Sequence, residues 1–368
     1  MKTLLKCGAL ALSTTLLVGC GGGGGGNGSG GDYSNLVQAD NVTVSTFAGS
    51  GALGSVDGLG SAASFSDPEG VAVDGRGNVY VVERFNARIR KISPSGLVTT
   101  LAGTGQGTIN GNTDGPGSLA TFSNPQGITV DSTGTVFVAD AGNNLIRKIN
   151  PQGVVSTFAG KGPLYSYDYT DGVGTNAGFR SPRGVAVDSS GTLYVADTDN
   201  LRIRKITSSA VVSTLAGSGQ QISKDGVGGL ANIHYPFGVA VDSVGNLFVV
   251  EADRRIRKIT PSGVVTTFAG GDQDGQSDGA GTEASFTYLN GIAIDASDNI
   301  YVSDASKIRK ITRTGLVTTL AGSGLQGDSD GAGPIASFNS PRGIAVDING
   351  NIYVADNLNK KIRKIVQH

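Results

Sequence analysis

The stretch Gly184-Val185-Ala186-Val187-Asp188, followed by residues 193–197 (Leu-Tyr-Val-Ala-Asp) and 202–206 (Arg-Ile-Arg-Lys-Ile), decides the fold. The same three runs return along the whole chain. Their closing Ile-Arg-Lys-Ile tetrapeptide occurs six times, beginning at Ile89, Ile146, Ile203, Ile256, Ile308 and Ile362. A period of about fifty residues with several short β-rich runs per unit is typical of a closed β array.

One unit, residues 68–103, indicates how the array is built. Its apolar run 70–74 is joined to the run 79–83 by a Gly-Arg-Gly-Asn turn, which predicts a hairpin. Residues 88–92 are a third strand, and residues 97–102 follow a Pro-Ser-Gly turn as a fourth. Four antiparallel strands with tight turns make one blade of a β-propeller.

The two ends of the array predict that it closes on itself. Residues 44–49 read Val-Ser-Thr-Phe-Ala-Gly, an isolated fourth-strand sequence, and the last unit stops after its third strand. If the N-terminal strand completes the last blade, no sheet edge remains open to aggregation. We therefore predict an all-β, six-bladed β-propeller with four antiparallel strands per blade, closed by the N-terminal strand.

The units resemble the NHL repeat. Residues 181–206 and 340–365 both carry Pro-x-Gly-(Val/Ile)-Ala-Val-Asp, then a Tyr-Val-Ala-Asp run, then Asn-x-x-Ile-Arg-Lys-Ile. The resemblance extends over residues 43–368 and implies the propeller fold. Proteins with this repeat include interaction modules, sensor ectodomains and a few enzymes, so function has to be argued from the site.

The N-terminus resembles a bacterial lipoprotein signal peptide. It has a basic start, an apolar run over 9–18 and the lipobox-like sequence Leu-Val-Gly-Cys ending at Cys20. We expect residues 1–19 to be removed, together with Cys7, and a lipid to be attached to Cys20.

This reading divides the chain into a signal peptide, a lipidated Gly-rich linker over 20–42 and a propeller over 43–368. The protein would be exported and anchored by its lipid to the bacterial cell envelope. Gly21, which follows the lipidated cysteine, favours the outer membrane, with the propeller facing the periplasm or the surface.

Composition excludes several classes of function. The 368 residues carry a net charge of −1, so no positive field attracts nucleic acid. The two histidines, His234 and His368, are too few for the metal centre of an NHL-type lyase that acts on amidated peptide precursors. Nucleophilic catalysis would depend on His234 alone, because the mature chain has no thiol. We predict no required cofactor and a monomeric propeller.

One position varies strongly between repeats, although the Gly that follows it is shared by all six. It precedes the shared Gly of the first strand and should place six side chains around the mouth of the central channel: Glu69, Gln126, Arg183, Phe237, Asn290 and Arg342. In related six-bladed lactonases and esterases, calcium is bound at the channel by carboxylate and amide groups. Glu69, Gln126 and Asn290 are the candidate metal ligands here, but two arginines and a phenylalanine beside them weaken such a site.

Residues that recur in every unit are assigned to the scaffold. We expect the acid that ends each second strand, such as Glu83, to pair with the arginine of a third strand, such as Arg90. The Asp of each Asp-Gly-x-Gly motif, such as Asp57, is expected to bond its own backbone in an Asx-type turn, with the glycines supplying positive φ.

Ligand-binding candidates are the side chains that break the repeat on the face formed by the loops between strands two and three and between blades. Aromatic planes among arginines and amides suit a carbohydrate, a peptide or an anionic group, although the tyrosines of unit three are equally well explained as packing for a longer loop. The candidates are Tyr165, Tyr167, Tyr169, Arg180, Arg183, His234, Tyr235, Phe237, Tyr288, Asn290 and Arg342.

These observations favour a cell-envelope lipoprotein that acts as a ligand-binding or protein-interaction scaffold through one propeller face. The alternative is a calcium-dependent lactonase- or esterase-like hydrolase, or a lyase, working at the central channel. The protein, peptide or carbohydrate ligand is not named by the sequence.

Overall fold

The computed structural model describes residues 41–105, 111–162 and 168–368. These residues form six antiparallel sheets, so the predicted all-β, six-bladed propeller is confirmed. We number the blades 1 to 6 along the chain by their innermost strands. The strands of each blade are called first to fifth from the central channel outward.

In blades 1 to 5 four longer strands follow one another in sequence, whereas in blade 6 the fourth of these strands comes from the N-terminal end of the propeller. The first strands are Pro68–Val73, Pro125–Val130, Pro182–Val187, Pro236–Val241, Leu289–Ile294 and Pro341–Val346. The second strands are Val79–Glu83, Val136–Asp140, Leu193–Asp197, Leu247–Glu251, Ile300–Asp304 and Ile352–Asp356. The third strands are Arg88–Ile92, Leu145–Ile149, Arg202–Ile206, Arg255–Ile259, Lys307–Ile311 and Lys361–Gln367. The fourth strands are Leu97–Ala102, Val154–Ala159, Val211–Ala216, Val264–Gly270, Leu316–Ala321 and, in blade 6, Val42–Ala48.

Each blade has one strand more than the predicted four. This outer strand is formed by two residues of the Asp-Gly-x-Gly motif and pairs with the fourth strand of its own blade. The fifth strands are Gly58–Leu59, Gly115–Pro116, Gly172–Val173, Gly226–Val227, Gly279–Ala280 and Gly331–Ala332.

Helical structure in the described residues consists of single 3-10 turns, and none of these helices is long or apolar enough to cross a membrane. The 3-10 turns are Gly60–Ala62, Ala141–Asn143, Gly174–Asn176, Thr198–Asn200, Gly228–Leu230 and Gly281–Glu283.

The core lies between blades. The second strand of every blade is buried along its whole length because both of its faces meet a neighbouring blade. In one cluster, Phe137 and Ala139 of blade 2 pack with Phe179, Val185 and other buried residues of blade 3. Burial on both faces explains why the inner strands read as continuous apolar runs in the sequence.

The ring closes as the sequence predicts. The N-terminal strand of blade 6 pairs antiparallel with the third strand of that blade, for example Val44 with Ile365. The same N-terminal strand also pairs on its other side with Gly331–Ala332. Both chain ends of the propeller are thereby held within one sheet.

The arginine of each third strand joins two carboxylates. Arg204 is fully buried, and its guanidinium lies 2.9 Å from Asp197 at the end of the second strand and 2.7 Å from Asp171 of the Asp-Gly-x-Gly motif. The predicted pairing of second-strand acids with third-strand arginines is therefore confirmed, and it occurs within a blade. The six pairs are Glu83 with Arg90, Asp140 with Arg147, Asp197 with Arg204, Glu251 with Arg257, Asp304 with Arg309 and Asp356 with Arg363.

The Asp of the Asp-Gly-x-Gly motif has a different role from the one predicted. The carboxylate of Asp57 accepts hydrogen bonds from the backbone N–H of Thr100 at 3.0 Å and from Arg90 at 2.6 Å, so it fastens the outer strands. The Asx-type turn lies instead at the end of the first strand, where Asp74 accepts from the N–H groups of Arg76 and Asn78. The expected positive φ occurs in the motif, for example at its second glycine in blades 1, 3, 4 and 5.

Candidate functional site

The mouth of the channel is shaped by an irregularity in each first strand. In blade 3, Pro182 pairs with Asp197 but Val185 pairs with Val195, so the strand bulges at Arg183 and Gly184. Such bulges redirect side chains, and here the redirected residue lines the channel mouth. The sequence therefore places its one variable position at the point where the strand turns a side chain inward.

The shared glycine after this position lets the first strands approach closely. A Cβ added to Gly184 would lie 2.5 Å from the carbonyl oxygen of Phe237 in blade 4. At the closure, a Cβ on Gly343 of blade 6 would lie 2.5 Å from the carbonyl oxygen of Glu69 in blade 1. Only glycine fits such a contact, so the scaffold fixes this residue and leaves its neighbour free to vary.

A cavity of about 560 Å³, open to solvent, occupies the mouth. Its rim contains Glu69, Gln126, Arg183, Phe237 and Asn290, which are five of the six predicted ring side chains. Beneath the rim lies a layer of β-branched residues, one from each blade: Val71, Ile128, Val185, Val239, Ile292 and Ile344. The site thus combines a polar rim with an apolar floor.

The sixth ring residue, Arg342, joins the rim through an ion pair with Glu69 at 3.4 Å. Its guanidinium also lies 5.9 Å from the centre of the Tyr288 ring. Glu69 is only 7% exposed, and burial raises the pKa of its carboxyl group, an effect that Arg342 offsets in part. The second carboxylate oxygen of Glu69 is buried and has no hydrogen-bond partner in the described structure.

Arg183 has different surroundings. Its guanidinium lies 4.9 Å from the centre of the Phe237 ring in the next blade, a cation–π contact. Within the described residues it has no carboxylate at ion-pair distance. Burial lowers the pKa of Arg183, with Asp199 and Glu69 acting in the opposite direction from farther away. A partly buried guanidinium without a counter-ion is costly, so this group is ready to accept an anion.

The three candidate metal ligands, Glu69, Gln126 and Asn290, share the cavity rim. The rim also holds Arg183, and Arg342 occupies one oxygen of Glu69. No group of three or more His, Cys, Asp or Glu side chains arranged to hold a metal ion is found in the described ranges. Calcium binding at this rim stays a prediction that only a metal measurement can test.

Other candidates lie away from the rim. Tyr169 is half exposed and is covered by Arg202, whose guanidinium lies 4.0 Å from the ring centre. Arg180 bonds through its backbone N–H to Asp197. Two further candidates, Tyr165 and Tyr167, lie outside the described residues.

His234 and Tyr235 precede the first strand of blade 4 and contact each other edge to face, with ring centres 5.1 Å apart. The Tyr235 hydroxyl accepts a hydrogen bond from Gln221 at 2.7 Å, and His234 bonds through its backbone N–H to Glu251. These two residues therefore flank the mouth on the blade that supplies Phe237.

Sequence reasoning missed one cluster beside His234. The Ser223 hydroxyl lies 2.5 Å from Glu251 and 2.6 Å from Asp253, so two carboxylates share one hydroxyl proton. Burial raises the pKa of Glu251 to about 7, against the opposing effect of Arg257. Asp253 lies in the loop between the second and third strands of blade 4, which has three residues, against four in blade 3 and two in blade 5, so loop length alone would not have identified the cluster.

The NHL repeat model matches residues 122–149, 179–206 and 338–365. Human teneurin-4 is 27% identical over 84% of this chain and 12% of its own length. NHL repeat-containing protein 2 of Bos taurus is 29% identical over 69% of this chain and 40% of its own length. The chain therefore spans well under two thirds of these relatives.

Solved structures show the same fold. A Bacteroides thetaiotaomicron protein of unknown function aligns over 88% of this chain and 76% of its own, with a TM-score of 0.69 and 23% identity. An auxiliary nutrient binding protein from the same organism aligns over 89% and 77%, with a TM-score of 0.66 and 16% identity. A streptogramin B lyase aligns over 89% and 98%, with a TM-score of 0.54 and 17% identity.

Proposed function

Because this chain is a six-bladed β-propeller that carries NHL repeats, we propose that it is a binding module whose ligand enters the mouth of the central channel. The repeats supply a rigid ring, and the single variable position in each first strand supplies the recognition surface. Binding sites are concave, largely preformed and lined by apolar groups with a few placed polar ones, as at this mouth.

One observation carries the proposal: polar groups on the rim lack partners within the protein. Gln126 and Asn290 make no side-chain hydrogen bond, and Arg183 no ion pair, within the described ranges. One oxygen of Glu69 is buried and equally unpartnered. In the described part of the propeller the fully buried arginines, such as Arg204, are all in ion pairs, whereas the partly buried Arg183 is not, and a bound ligand would supply the missing partner at this cavity.

The auxiliary nutrient binding protein that shares this fold supports a binding role rather than establishing one. Nutrient binding would be consistent with a propeller held at a cell envelope. The streptogramin B lyase shares the fold less closely, and supports the alternative of an enzyme at the same face.

To test binding, a library of small polar molecules can be screened by ligand-observed NMR against the full chain carrying Cys20→Ala, which prevents lipidation. We expect hits that are lost in a Phe237→Ala variant, because that ring forms part of the rim. Phe85→Ala is the matched control, since Phe85 is an exposed aromatic outside the rim. If Phe237→Ala and Phe85→Ala bind the hits equally well, the channel mouth is not the binding site.

A metal measurement on the same Cys20→Ala protein distinguishes a binding module from a hydrolase or lyase. A stoichiometric divalent ion that survives dialysis and is lost in a Glu69→Gln variant would favour the calcium-dependent alternative. Binding without such an ion would favour the binding module.

We propose further that the propeller is held at the bacterial cell envelope by a lipid on Cys20. The basic and apolar start of the chain and the Leu-Val-Gly-Cys sequence support this placement. In cells, Cys20→Ala should move the protein from the membrane fraction to the soluble fraction. Cys7→Ala is the control and should leave it in the membrane fraction, because Cys7 lies in the segment to be removed. If both variants stay with the membrane, a lipid on Cys20 is not the anchor.

A further inference from the structure

We infer that the ligand of the channel mouth carries a single carboxylate, which lies at the channel axis between Arg183 and Arg342. This inference rests on the proposed function, because it names the chemistry of a ligand at the same site. It is argued from the order of the ring residues, their charges and their unpaired groups.

The order of residues around the ring places like groups on opposite sides. Arg183 belongs to blade 3 and Arg342 to blade 6, and these blades face each other across a six-bladed ring. Gln126 of blade 2 and Asn290 of blade 5 are opposite each other in the same way. An anion on the axis would therefore meet a guanidinium on two sides and an amide on two others.

One of the two ring arginines has no carboxylate partner within the described residues. The six described ring residues include two arginines and one glutamate, and the ion pair among them joins Glu69 to Arg342. Arg183 is the cation that remains. A guanidinium presents a planar fork of donors that matches a carboxylate in two parallel hydrogen bonds.

The other charged groups near the ring form no ion pair with the Arg183 guanidinium in the described residues. Arg84 donates through Nε to Asn124 at 2.5 Å, and Asp67 accepts from Asn357 at 2.8 Å. Asp199 attracts the Arg183 guanidinium from beyond ion-pair distance, as the direction of its effect on the Arg183 pKa indicates. Neither Asp67 nor Asp199 lies within ion-pair distance of the Arg183 guanidinium in the described residues, so this cation has no counter-ion.

The same charges select against other ligand classes. A cation would meet two arginines. A dianion such as a phosphate monoester would be repelled by Glu69 and would carry more charge than the one unpaired guanidinium, Arg183, can neutralise. A monoanion pairs with Arg183, and the Gln126 and Asn290 amides can donate hydrogen bonds to it.

The rest of the ligand is expected to be apolar where it enters the channel. The layer beneath the rim, which includes Val185 and Ile292, offers no polar side chain, and the Phe237 ring borders the opening. An organic monocarboxylate with a small aromatic or aliphatic body matches both parts of the site. A free small acid and the carboxylate at the end of a peptide share this chemistry.

The test uses four probes that share a phenyl group: phenylacetate, phenylacetamide, phenethylamine and phenyl phosphate. Each is titrated by NMR into the full chain with Cys20→Ala at pH 7. We expect phenylacetate to bind at least ten times more tightly than the other three. Arg183→Gln should weaken phenylacetate at least tenfold, and Arg183→Lys should restore only part of the loss, because a lysine lacks the planar fork. Arg76→Gln, in a turn at the other end of a first strand, should change nothing.

A second pair of probes, acetylphenylalanine and its amide, distinguishes a free small acid from the carboxylate at the end of a peptide. Tighter binding of acetylphenylalanine than of phenylacetate would support the inference and assign the group to a peptide end. Equal binding of acids and amides, or unchanged phenylacetate affinity in Arg183→Gln, would overturn it.

Failure of the inference is distinguishable from failure of the proposed function. If the small-molecule library gives ligands that require Phe237 but carry no carboxylate, the mouth is a binding site and the inference about charge is wrong. If no ligand requires Phe237, both are wrong.

Discussion

At the scale of single residues, the arginine of each third strand is among the largest fully buried side chains in the described residues. Arg204 is fully buried between Asp197, also fully buried, and Asp171, whose side chain is 51% exposed. The cost of removing a charge from such a cluster depends on what it leaves behind: a buried carboxylate without its partner is far more costly than an exposed one.

Arg204→Met should therefore lower the free energy of unfolding by about 3–5 kcal/mol, because Asp197 stays buried without its counter-ion. Asp171→Asn is the control in the same cluster and should cost about 1 kcal/mol. Both values come from urea unfolding followed by circular dichroism. A smaller loss of unfolding free energy in Arg204→Met than in Asp171→Asn would contradict the view that burial of Asp197 determines the cost.

Glu251 makes one part of the stability depend on pH. Burial raises the pKa of Glu251 from 4.5 to about 7, so the folded state holds the proton more tightly than the unfolded state. Its contribution to stability is full below about pH 4.5 and is lost as the pH rises through 7. The unfolding free energy of the native chain minus that of Glu251→Gln should fall across this window, by about 1.4 kcal/mol per unit of pKa shift.

Asp168 gives a control of opposite sign. Burial alone would raise the pKa of Asp168, but hydrogen bonds from Lys161 and Thr170 lower this pKa to about 2. Its contribution is present above about pH 4 and is lost as the pH falls towards 2. Asp168→Asn should therefore change the acid side of the stability profile and leave the slope between pH 4.5 and 7 intact. The same slope in both variants would show that Glu251 is not its source.

At the scale of elements, the first strands determine the shape of the mouth through one glycine each. Gly184→Ala should lower the unfolding free energy by about 1–3 kcal/mol, because its Cβ would press on the Phe237 carbonyl oxygen. It should also weaken ligand binding, since Arg183 and Phe237 would move apart.

Gly191→Ala separates packing from backbone strain. Gly191 has φ +81 in the turn after the same strand, and an added Cβ would have nothing within 4 Å. We expect a loss of about 1 kcal/mol in unfolding free energy and unchanged ligand binding. If the two variants bind ligand equally well, the close approach of the first strands does not control the mouth.

At the scale of the whole molecule, the N-terminal strand holds the ring closed. Val42–Ala48 lies between Lys361–Gln367 and Gly331–Ala332 in the sheet of blade 6. A chain that begins at residue 49 lacks this strand and exposes two sheet edges, so it should aggregate or unfold at lower urea concentration. A chain that begins at residue 41 keeps the strand and should behave as a monomer in size-exclusion chromatography. Equal stability of the two chains would mean that closure does not depend on this strand.

The sequence could predict whatever repeats in phase. Blade number, strand order and closure follow from counting, and the pairing of Glu83 with Arg90 follows from their shared recurrence in adjacent strands. The two-residue fifth strand was not predicted, because Gly58–Leu59 carries no β-rich pattern of its own and pairs with residues about forty positions later. The role of Asp57 was missed for the same reason, since its partner Thr100 is brought close only by that pairing.

The sequence by itself determined the propeller, the position of the variable ring and the identity of its six residues, because a strict repeat fixes the register of every strand. Only the tertiary structure decided which of those six residues are paired with each other and which charge has no partner. Neighbouring blades join Glu69 to Arg342 and stack Arg183 on Phe237, and closure of the ring sets the two arginines on opposite sides. Which charge is left without a partner depends on distances between blades, and no pattern within one repeat contains that information.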